Sequence, residues 1–507
     1  MKLKWFSKNE IKILIVGIIG TITARGLILF VISHSVDDYG FVLNPNNAIT
    51  AGVNQGRWTT GLILTIAKYL GILSNFSITL NFLFSIFSLT FLGLLICRMW
   101  KINNDIILSS IVILFFTTFP YQAEIYTFKS TSLMFISSLI IGFSSIYFSK
   151  LKTLTITLTA IGFCLSLSIY QIILNYIIPL LLMELIIEIL RQFKFNNKIN
   201  KKYLVNIIKQ SKVLPQLLTV FLGVITYIIT NKIVLSFLHI TLTNRAELLR
   251  FSEYSIRMKQ IKEILIKTFF INENIFPIFT KILLIIIFLL SIIGIIKLFI
   301  NKKNHNNKAF FLFITIFILL TISIATNIGV LLVTKEWWPV PRVMIAFGIF
   351  WAGITTISYL FNEVKLKKII IVTSTVIILS FIGINNHIYI DQIRINQKDA
   401  NKANRIVSRL ETNKNFNENI NISIVGSQWS YGNQVLTILG DMNISAFGAN
   451  WSQIPLLNEV SGYNFLSPSP EQYSEAVNYC NDKNPWPSEE SVTIKKSNAI
   501  ICLNDNI

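Results

Sequence analysis

The chain has 507 residues, of which 53% are hydrophobic and 14% charged, and its formal net charge is +20. Soluble domains carry nearer a quarter charged residues and lack repeated long apolar runs, so this composition indicates a polytopic membrane protein. The positive charge does not indicate nucleic-acid binding, because the basic residues lie mostly in short loops between apolar runs and form no basic face on a soluble domain.

Eleven apolar runs are long enough to be predicted as transmembrane helices. The first is expected to be a retained helix and not a cleaved signal peptide, because it is long and no small-residue cleavage site comes before Asp37. Residues 59–73 form a shorter apolar stretch, which carries Lys68 and is predicted to lie in the membrane interface. The eleven predicted spans are 12–33, 77–98, 105–120, 131–149, 153–169, 171–190, 213–237, 276–298, 309–333, 343–361 and 368–388.

The distribution of Lys and Arg predicts the orientation of these helices. Loops on the side of the N-terminus hold about twice as many basic residues as the opposite loops, and cytoplasmic loops carry the excess of basic residues. The N-terminus is therefore predicted to be cytoplasmic, and the C-terminal part of the chain to lie outside the cytoplasm.

Composition changes abruptly after residue 388. Residues 389–507 are polar and are predicted to form a small α+β domain outside the membrane, following a transmembrane domain of residues 1–388. The fold class is therefore predicted to be mainly α, with a small C-terminal α+β domain. Its predicted elements are a helix near 391–410, a helix over 471–479 and strand-like runs at 420–425 and 492–503.

Two of the four cysteines, Cys480 and Cys502, belong to this C-terminal domain. Outside the cytoplasm, a disulfide is the natural interpretation of such a pair. Two unpaired thiols remain the alternative, because nothing in the sequence determines the distance between them. Cys97 and Cys164 lie inside apolar runs and are expected to be inert.

Two adjacent carboxylates, Asp37 and Asp38, follow the first predicted helix on the outer side. Each disfavours ionisation of the other and tends to raise one pKa, and a carboxylate in that position is able to take a proton from an acceptor hydroxyl. The alternative interpretation is a solvated pair that caps the outer end of a helix.

Further candidate binding residues share the same predicted face. Arg57, Lys129 and Arg342 are candidate ligands of a lipid phosphate, because a phosphate at the membrane surface needs charge-assisted donors. The alternative for each is an interfacial cation that extends toward lipid headgroups. Trp58 is predicted either to stack on a sugar ring or to belong to the interfacial aromatic belt. The remaining candidate substrate-binding residues on this face are Glu124, Tyr170 and Gln171.

Two other features of the sequence bear on function. Arg25 lies in the middle of the first predicted span, and we expect it to pair within the helix bundle. No nucleotide-binding glycine-rich loop occurs, and no pair of His or Cys residues has metal-ligand spacing, so neither a cofactor nor a metal is expected.

Four short motifs on the outer face occur in an order that resembles the bacteriophage-encoded O-antigen glucosyltransferases, which convert bacterial serotype. The resemblance covers nearly the whole chain. The motifs are Ser35-Val36-Asp37-Asp38-Tyr39, Gly56-Arg57-Trp58, Leu167-Ser168-Ile169-Tyr170-Gln171, and Asn484-Pro485-Trp486-Pro487 followed by Ser491-Val492.

The resemblance implies a GT-C-like fold in the inner membrane of a Gram-negative bacterium. It implies transfer of glucose from undecaprenyl-phosphate glucose to a sugar hydroxyl of lipopolysaccharide O-antigen on the periplasmic side, with inversion at the anomeric carbon. It also implies a functional link to the synthase and the flippase that supply the glucosyl lipid. By likeness to other such enzymes Asp37 is assigned as the general base, and Asp38 as its orienting neighbour or a sugar ligand; the choice between the two stays open.

Functions from other classes remain as alternatives. A lipid-linked sugar flippase would need a polar path through the bundle, which the predicted spans mostly lack. A non-catalytic membrane scaffold with a periplasmic binding domain is a second alternative. Within the enzyme class, an O-antigen polymerase or ligase is a third.

Overall fold

A computed structural model describes residues 6–31, 33–43, 50, 52–69, 78–195, 212–241, 243, 247–269, 275–300 and 306–503. Within these ranges the chain forms a helix bundle with one large apolar core and a smaller C-terminal domain with a core of its own. The helices of the bundle are α1 (Lys8–Arg25), α2 (Leu27–Phe30), α3 (Val36–Leu43), α4 (Trp58–Tyr69), α5 (Ile78–Met99), α6 (Ile106–Thr118), α7 (Ala123–Thr127), α8 (Lys129–Phe148), α9 (Thr153–Ile169), α10 (Ile173–Phe195), α11 (Val213–Leu238), α12 (Tyr254–Phe269), α13 (Ile278–Ile300), α14 (Asn306–Thr326), α15 (Phe347–Phe361) and α16 (Val364–Glu411).

A helix lies at each of the eleven predicted spans, and several of these helices are long and apolar, as in a membrane protein. In the described part of the chain, five helices meet both the length and the hydropathy needed to cross a bilayer: α5, α10, α11, α13 and α16. A sixth is obtained if α6 and the bent segment Pro120–Thr127 after it form one span. The count of eleven spans therefore stays a prediction.

The final helix of the bundle, α16, has 48 residues and continues into the C-terminal domain. At 1.5 Å per residue it is about 70 Å long. The sequence predicted a span that ends at residue 388 and a separate helix near 391–410, and this separation was wrong. The polar residues after 388 do not end the helix, because the C-terminal domain satisfies them: Asp391 accepts from the Thr437 amide at 2.9 Å and Asp399 from the Ala446 amide at 2.7 Å.

The C-terminal domain contains a three-stranded sheet of β1 (Asn421–Val425), β2 (Val492–Lys495) and β3 (Asn498–Cys502). The central strand β3 pairs parallel with β1 and antiparallel with β2. The run at 492–503 was predicted as one strand and is a hairpin, with Lys496 in the turn at a φ of 54°. Two helices complete the domain: α17 (Asn450–Ser461) and α18 (Pro470–Asn481).

The short helix α3, which carries the acidic pair, packs against the C-terminal domain. Tyr39 belongs to the apolar core of that domain, together with Ala403 and Ile406 of α16. Val36 packs against Ile444 and Ala449. The segment after the first helix is therefore held between the bundle and the C-terminal domain.

The loop before α15 depends on a glycine that approaches α10 closely. Gly329 has a φ of 55°, and a Cβ atom at this position would lie 1.8 Å from Oδ1 of Asn175. That oxygen accepts from the Val330 amide at 2.9 Å, while the Asn175 amide donates to the Val343 carbonyl at 2.7 Å. Asn175 thus holds both ends of the loop that carries Arg342.

We expect Gly329→Ala to lower the thermal stability of the detergent-solubilised protein more than Gly432→Ala. Both glycines have positive φ, at 55° and 62°, but no heavy atom lies within 4 Å of the Cβ position at Gly432. The control, Gly432→Ala, should lower the free energy of unfolding by about 1–2 kcal/mol through backbone strain alone. Gly329→Ala should cost about 2 kcal/mol more, because Asn175 must give up its two hydrogen bonds. Equal shifts in unfolding temperature would contradict this account of the loop.

In the structure Cys480 and Cys502 form a disulfide, with their Cα atoms 5.5 Å apart. It joins α18 to the central strand β3. By constraining the unfolded chain, it is expected to add on the order of 3 kcal/mol to the free energy of unfolding. Alkylation of denatured protein from native membranes should label the free, buried Cys97 and Cys164 but neither bridged cysteine until a reductant is added. Label on Cys480 and Cys502 before reduction, detected by mass spectrometry, would refute the bridge.

Candidate active site

The two adjacent aspartates have different surroundings because they point to different sides of α3. Asp38 is 2% exposed, and its Oδ2 accepts from the amide of Ser35 at 2.9 Å and from its hydroxyl at 3.0 Å. The Asp38 amide donates back to the Ser35 hydroxyl at 3.3 Å. These reciprocal bonds form a capping box, which satisfies free amides at a helix N-terminus.

Asp37 lies one position earlier and faces the C-terminal domain. It is partly buried, and its Oδ1 accepts from the indole nitrogen of Trp451 at 3.1 Å. Burial raises the pKa of Asp37 to about 6; the positive charge of Arg342 opposes the shift, while the charges of Asp441 and Asp38 add to it. A carboxyl with a pKa near 6 is ionised at neutral pH and still basic enough to accept a proton.

Arg342 organises the acidic groups beside Asp37. Its Nη1 donates to Oε1 of Glu124 at 2.7 Å, and its backbone amide donates to the other oxygen of that carboxylate. Its Nη2 donates to Asp441 at 2.5 Å, and the Asp441 amide donates to Glu124 at 3.3 Å. Glu124 is fully buried. The guanidinium therefore already serves two carboxylates, and we name this group the Arg342 triad.

Arg57, Tyr170 and Gln171 form a second group. The guanidinium carbon of Arg57 lies 4.2 Å from the centre of the Tyr170 ring, and its Nε donates to Gln171 at 3.4 Å. The Gln171 amide in turn donates to the Gln55 carbonyl at 2.8 Å. The Arg57 guanidinium is thus held between the Tyr170 ring and the Gln171 side chain.

The other predicted site residues are less closely tied to Asp37. Trp58 begins α4, and its buried indole nitrogen has no hydrogen-bond partner among the residues that the structure describes. The side chain of Lys129 lies outside the described residues. In the described part of the chain, no group of three or more His, Cys, Asp and Glu side chains has the arrangement of a metal site.

Sequence reasoning missed two residues that the C-terminal domain contributes, Asp441 and Trp451. Their immediate sequences, Gly440-Asp441-Met442 and Asn450-Trp451-Ser452, contain no recognisable motif. Trp451 lies 414 positions from its partner Asp37, and Asp441 lies 99 positions from Arg342. Only the folded chain brings them to the site.

Buried aspartates on α16 hold the segment that carries Asp441. Asp391 accepts from the amide of Thr437 at 2.9 Å and from its hydroxyl at 2.7 Å. Asp399, two turns further along the helix, accepts from the Ala446 amide at 2.7 Å. Both aspartates are fully buried. The segment that carries Asp441 is therefore held on each side of this residue by hydrogen bonds to a buried carboxylate.

Arg25 contacts neutral groups of the bundle. It is fully buried; its Nη2 donates to the Phe119 carbonyl and its Nε to the Asn385 amide oxygen, each at 3.4 Å. Its guanidinium carbon lies 4.5 Å from the centre of the Tyr126 ring. The expected pairing within the bundle is therefore made with neutral acceptors.

Removal of the Arg342 side chain should destabilise the protein far more than removal of an exposed cation. Arg342→Met leaves Glu124 as an uncompensated buried carboxylate, and breaking a buried pair in this way costs about 3–5 kcal/mol. Lys335→Met is the matched control, because Lys335 and Glu247 form an exposed ion pair at 2.8 Å, and solvent screening makes such pairs contribute little to stability. Similar thermal unfolding of the two variants in detergent would argue against a structural role for the triad.

The chain was compared with families of known proteins, with curated proteins and with solved structures. No curated protein and no solved structure is similar to the chain. Residues 26–353 match the family described as glucosyl transferase GtrII. This range contains Asp37, Arg57, Glu124, Tyr170 and Arg342, and it ends before the C-terminal domain. The match confirms the resemblance that the ordered motifs suggested, and the chain belongs to the GtrII glucosyl transferase family.

Proposed function

We propose that this membrane glucosyltransferase moves glucose from undecaprenyl-phosphate glucose to a sugar hydroxyl of lipopolysaccharide O-antigen. The reaction takes place on the periplasmic face of the inner membrane and inverts the anomeric carbon. Membership of a glucosyl transferase family supports the reaction class. The choice of lipid donor and polysaccharide acceptor rests on the ordered outer-face motifs.

The observation that carries the proposal is the environment of Asp37. Its neighbour Asp38 is engaged in capping α3, whereas Asp37 is partly buried, accepts one hydrogen bond from Trp451 and lies beside the Arg342 triad. Burial raises the pKa of Asp37 to about 6, and a general base works best with a pKa near the working pH. These contacts favour Asp37 over Asp38 as the base.

The proposed step is a single displacement. The acceptor hydroxyl oxygen forms a bond to C1 of glucose while the bond between C1 and the phosphate oxygen breaks. The phosphate leaves with the bonding electron pair as undecaprenyl phosphate, and Asp37 takes the hydroxyl proton. Because the sugar phosphodiester already contains its leaving group, the step needs no nucleotide.

Arg57 is the cation that we assign to the donor phosphate. It stacks on Tyr170 at 4.2 Å, and the planar guanidinium presents a fork of donors whose geometry matches phosphate oxygens. Arg342 is less suited to this role, because two carboxylates already accept from it. In this assignment Arg342 keeps the acidic groups together, and Arg57 binds the lipid phosphate as it departs.

The orientation completes the proposal. An N-terminus in the cytoplasm and a periplasmic C-terminal domain place Asp37 on the side where O-antigen is modified. A glucosyl-lipid synthase and a flippase would then have to deliver the donor to that face.

The decisive experiment uses the purified full-length protein with radiolabelled undecaprenyl-phosphate glucose and O-polysaccharide. Transfer of label to the polysaccharide is the expected result. Movement of labelled lipid across the bilayer of proteoliposomes, without transfer, would indicate a flippase instead. Absence of both would refute the proposed function.

Asp37→Asn should reduce glucosyl transfer by about 10²–10⁴-fold, because an amide keeps the shape of the carboxyl but cannot accept the proton. Asp38→Asn is the matched control: its amide oxygen is still able to accept from Ser35, so the loss should be much smaller. Wild-type kcat should fall as pH drops through about 6, where Asp37 becomes protonated, and reach a plateau above it. Equal activity of both variants with the wild type would exclude this mechanism.

A further inference from the structure

A half-exposed tryptophan lies directly beside the proposed base. Trp451 is 57% exposed, although its indole N–H is bound to the Asp37 carboxylate at 3.1 Å. Its polar edge is therefore engaged, while much of the ring surface is open to solvent. Such an exposed indole ring offers a ligand a rigid apolar face with a negative quadrupole.

The position of the Trp451 ring is set by a well-packed support. Trp451 is the second residue of α17, which packs against both α3 and α16. The next residue, Ser452, donates to the Ala446 carbonyl at 2.6 Å, and Gln453 donates to the Phe447 carbonyl at 2.9 Å. The ring and the carboxylate are thus held in a defined mutual orientation.

A second exposed indole belongs to the same region. Trp429 is 42% exposed, and its carbonyl accepts from the Ser445 amide at 3.1 Å. Its Cα atom lies 3.2 Å from the position of a Cβ on Gly448, three residues before Trp451. Two partly exposed tryptophans therefore lie on neighbouring segments, one of them hydrogen-bonded to Asp37, and we name these two side chains the indole platform.

We infer that the indole platform binds a pyranose ring of the acceptor polysaccharide. This inference rests on the proposed function and adds the part of the chain that recognises the acceptor. The C–H face of a pyranose is apolar with a slight positive charge, and it packs well on the negative face of an indole ring. The hydroxyls at the edge of such a sugar would point toward Asp37, whose position relative to Trp451 is set by their hydrogen bond.

The platform also explains why the C-terminal domain contributes to the site. The family match ends at residue 353, whereas Trp429 and Trp451 lie well beyond it. The donor-side residues Asp37, Arg57 and Tyr170 lie within the match. Acceptor recognition is thereby carried by a different part of the chain from donor recognition and chemistry.

The test measures the KM of each substrate separately in the purified full-length protein. The acceptor is the O-polysaccharide that the wild type glucosylates, and the donor is labelled undecaprenyl-phosphate glucose. Trp451→Ala should raise the acceptor KM by about tenfold or more through the loss of stacking, with the donor KM nearly unchanged. Trp451→Phe keeps a ring and should raise the acceptor KM less.

Trp451→Phe also supplies a readout that a loss of packing would not produce. Removal of the indole N–H takes away a bond that lowers the pKa of Asp37, so the acidic limb of the kcat profile should move to higher pH. Tyr473→Ala is the control, because this 42% exposed tyrosine belongs to α18, which packs against the sheet. It should change neither KM.

Trp429→Ala provides an independent second variant if Trp451→Ala does not fold. An unchanged acceptor KM in folded Trp451→Ala and Trp429→Ala would overturn the inference. A rise in donor KM alone would also overturn it and would assign the indoles to the lipid. Failure of the wild type to transfer glucose at all would instead refute the proposed function, so the two failures are distinguishable.

Discussion

The site depends on one ionic interaction, in which Arg342 binds Glu124 and Asp441 together. Glu124 comes from the bent segment after α6, and Asp441 comes from the C-terminal domain. A buried carboxylate is costly unless a cation and further hydrogen bonds compensate it. The Arg342 guanidinium and backbone amide supply both. This contact is one of those that join the bundle to the C-terminal domain.

The long helix α16 gives that contact its geometry. Its first turns pack in the bundle, its last turns form part of the C-terminal core, and the buried Asp391 and Asp399 hold the segment that carries Asp441. A continuous helix holds its two ends in a more defined relative position than a flexible linker does, because its backbone hydrogen bonds form within the helix. The C-terminal domain is therefore positioned against α3 and its two aspartates.

Helix geometry separates the roles of two adjacent, chemically identical residues. Successive positions on a helix differ by about 100°, so Asp38 turns toward Ser35 while Asp37 turns toward Trp451. The carboxylate of Asp38 caps the helix, whereas the carboxylate of Asp37, as we propose, acts as the base. The capping box at Ser35 and Asp38 keeps the N-terminus of α3 in place, and with it the orientation of Asp37.

The sequence by itself determined the local features of this protein. Apolar runs predicted the positions of the helices, because burial in lipid requires a fixed length of apolar chain, and the acidic pair marked the region of the site. The tertiary structure alone decided that Asp441 and Trp451 join Asp37, that α16 continues past residue 388, and that Arg342 binds carboxylates. The first and third depend on contacts between residues far apart in the chain, about which local hydropathy and spacing contain no information. The second depends on the packing of polar residues after position 388, such as Asp391 and Asp399, against the C-terminal domain.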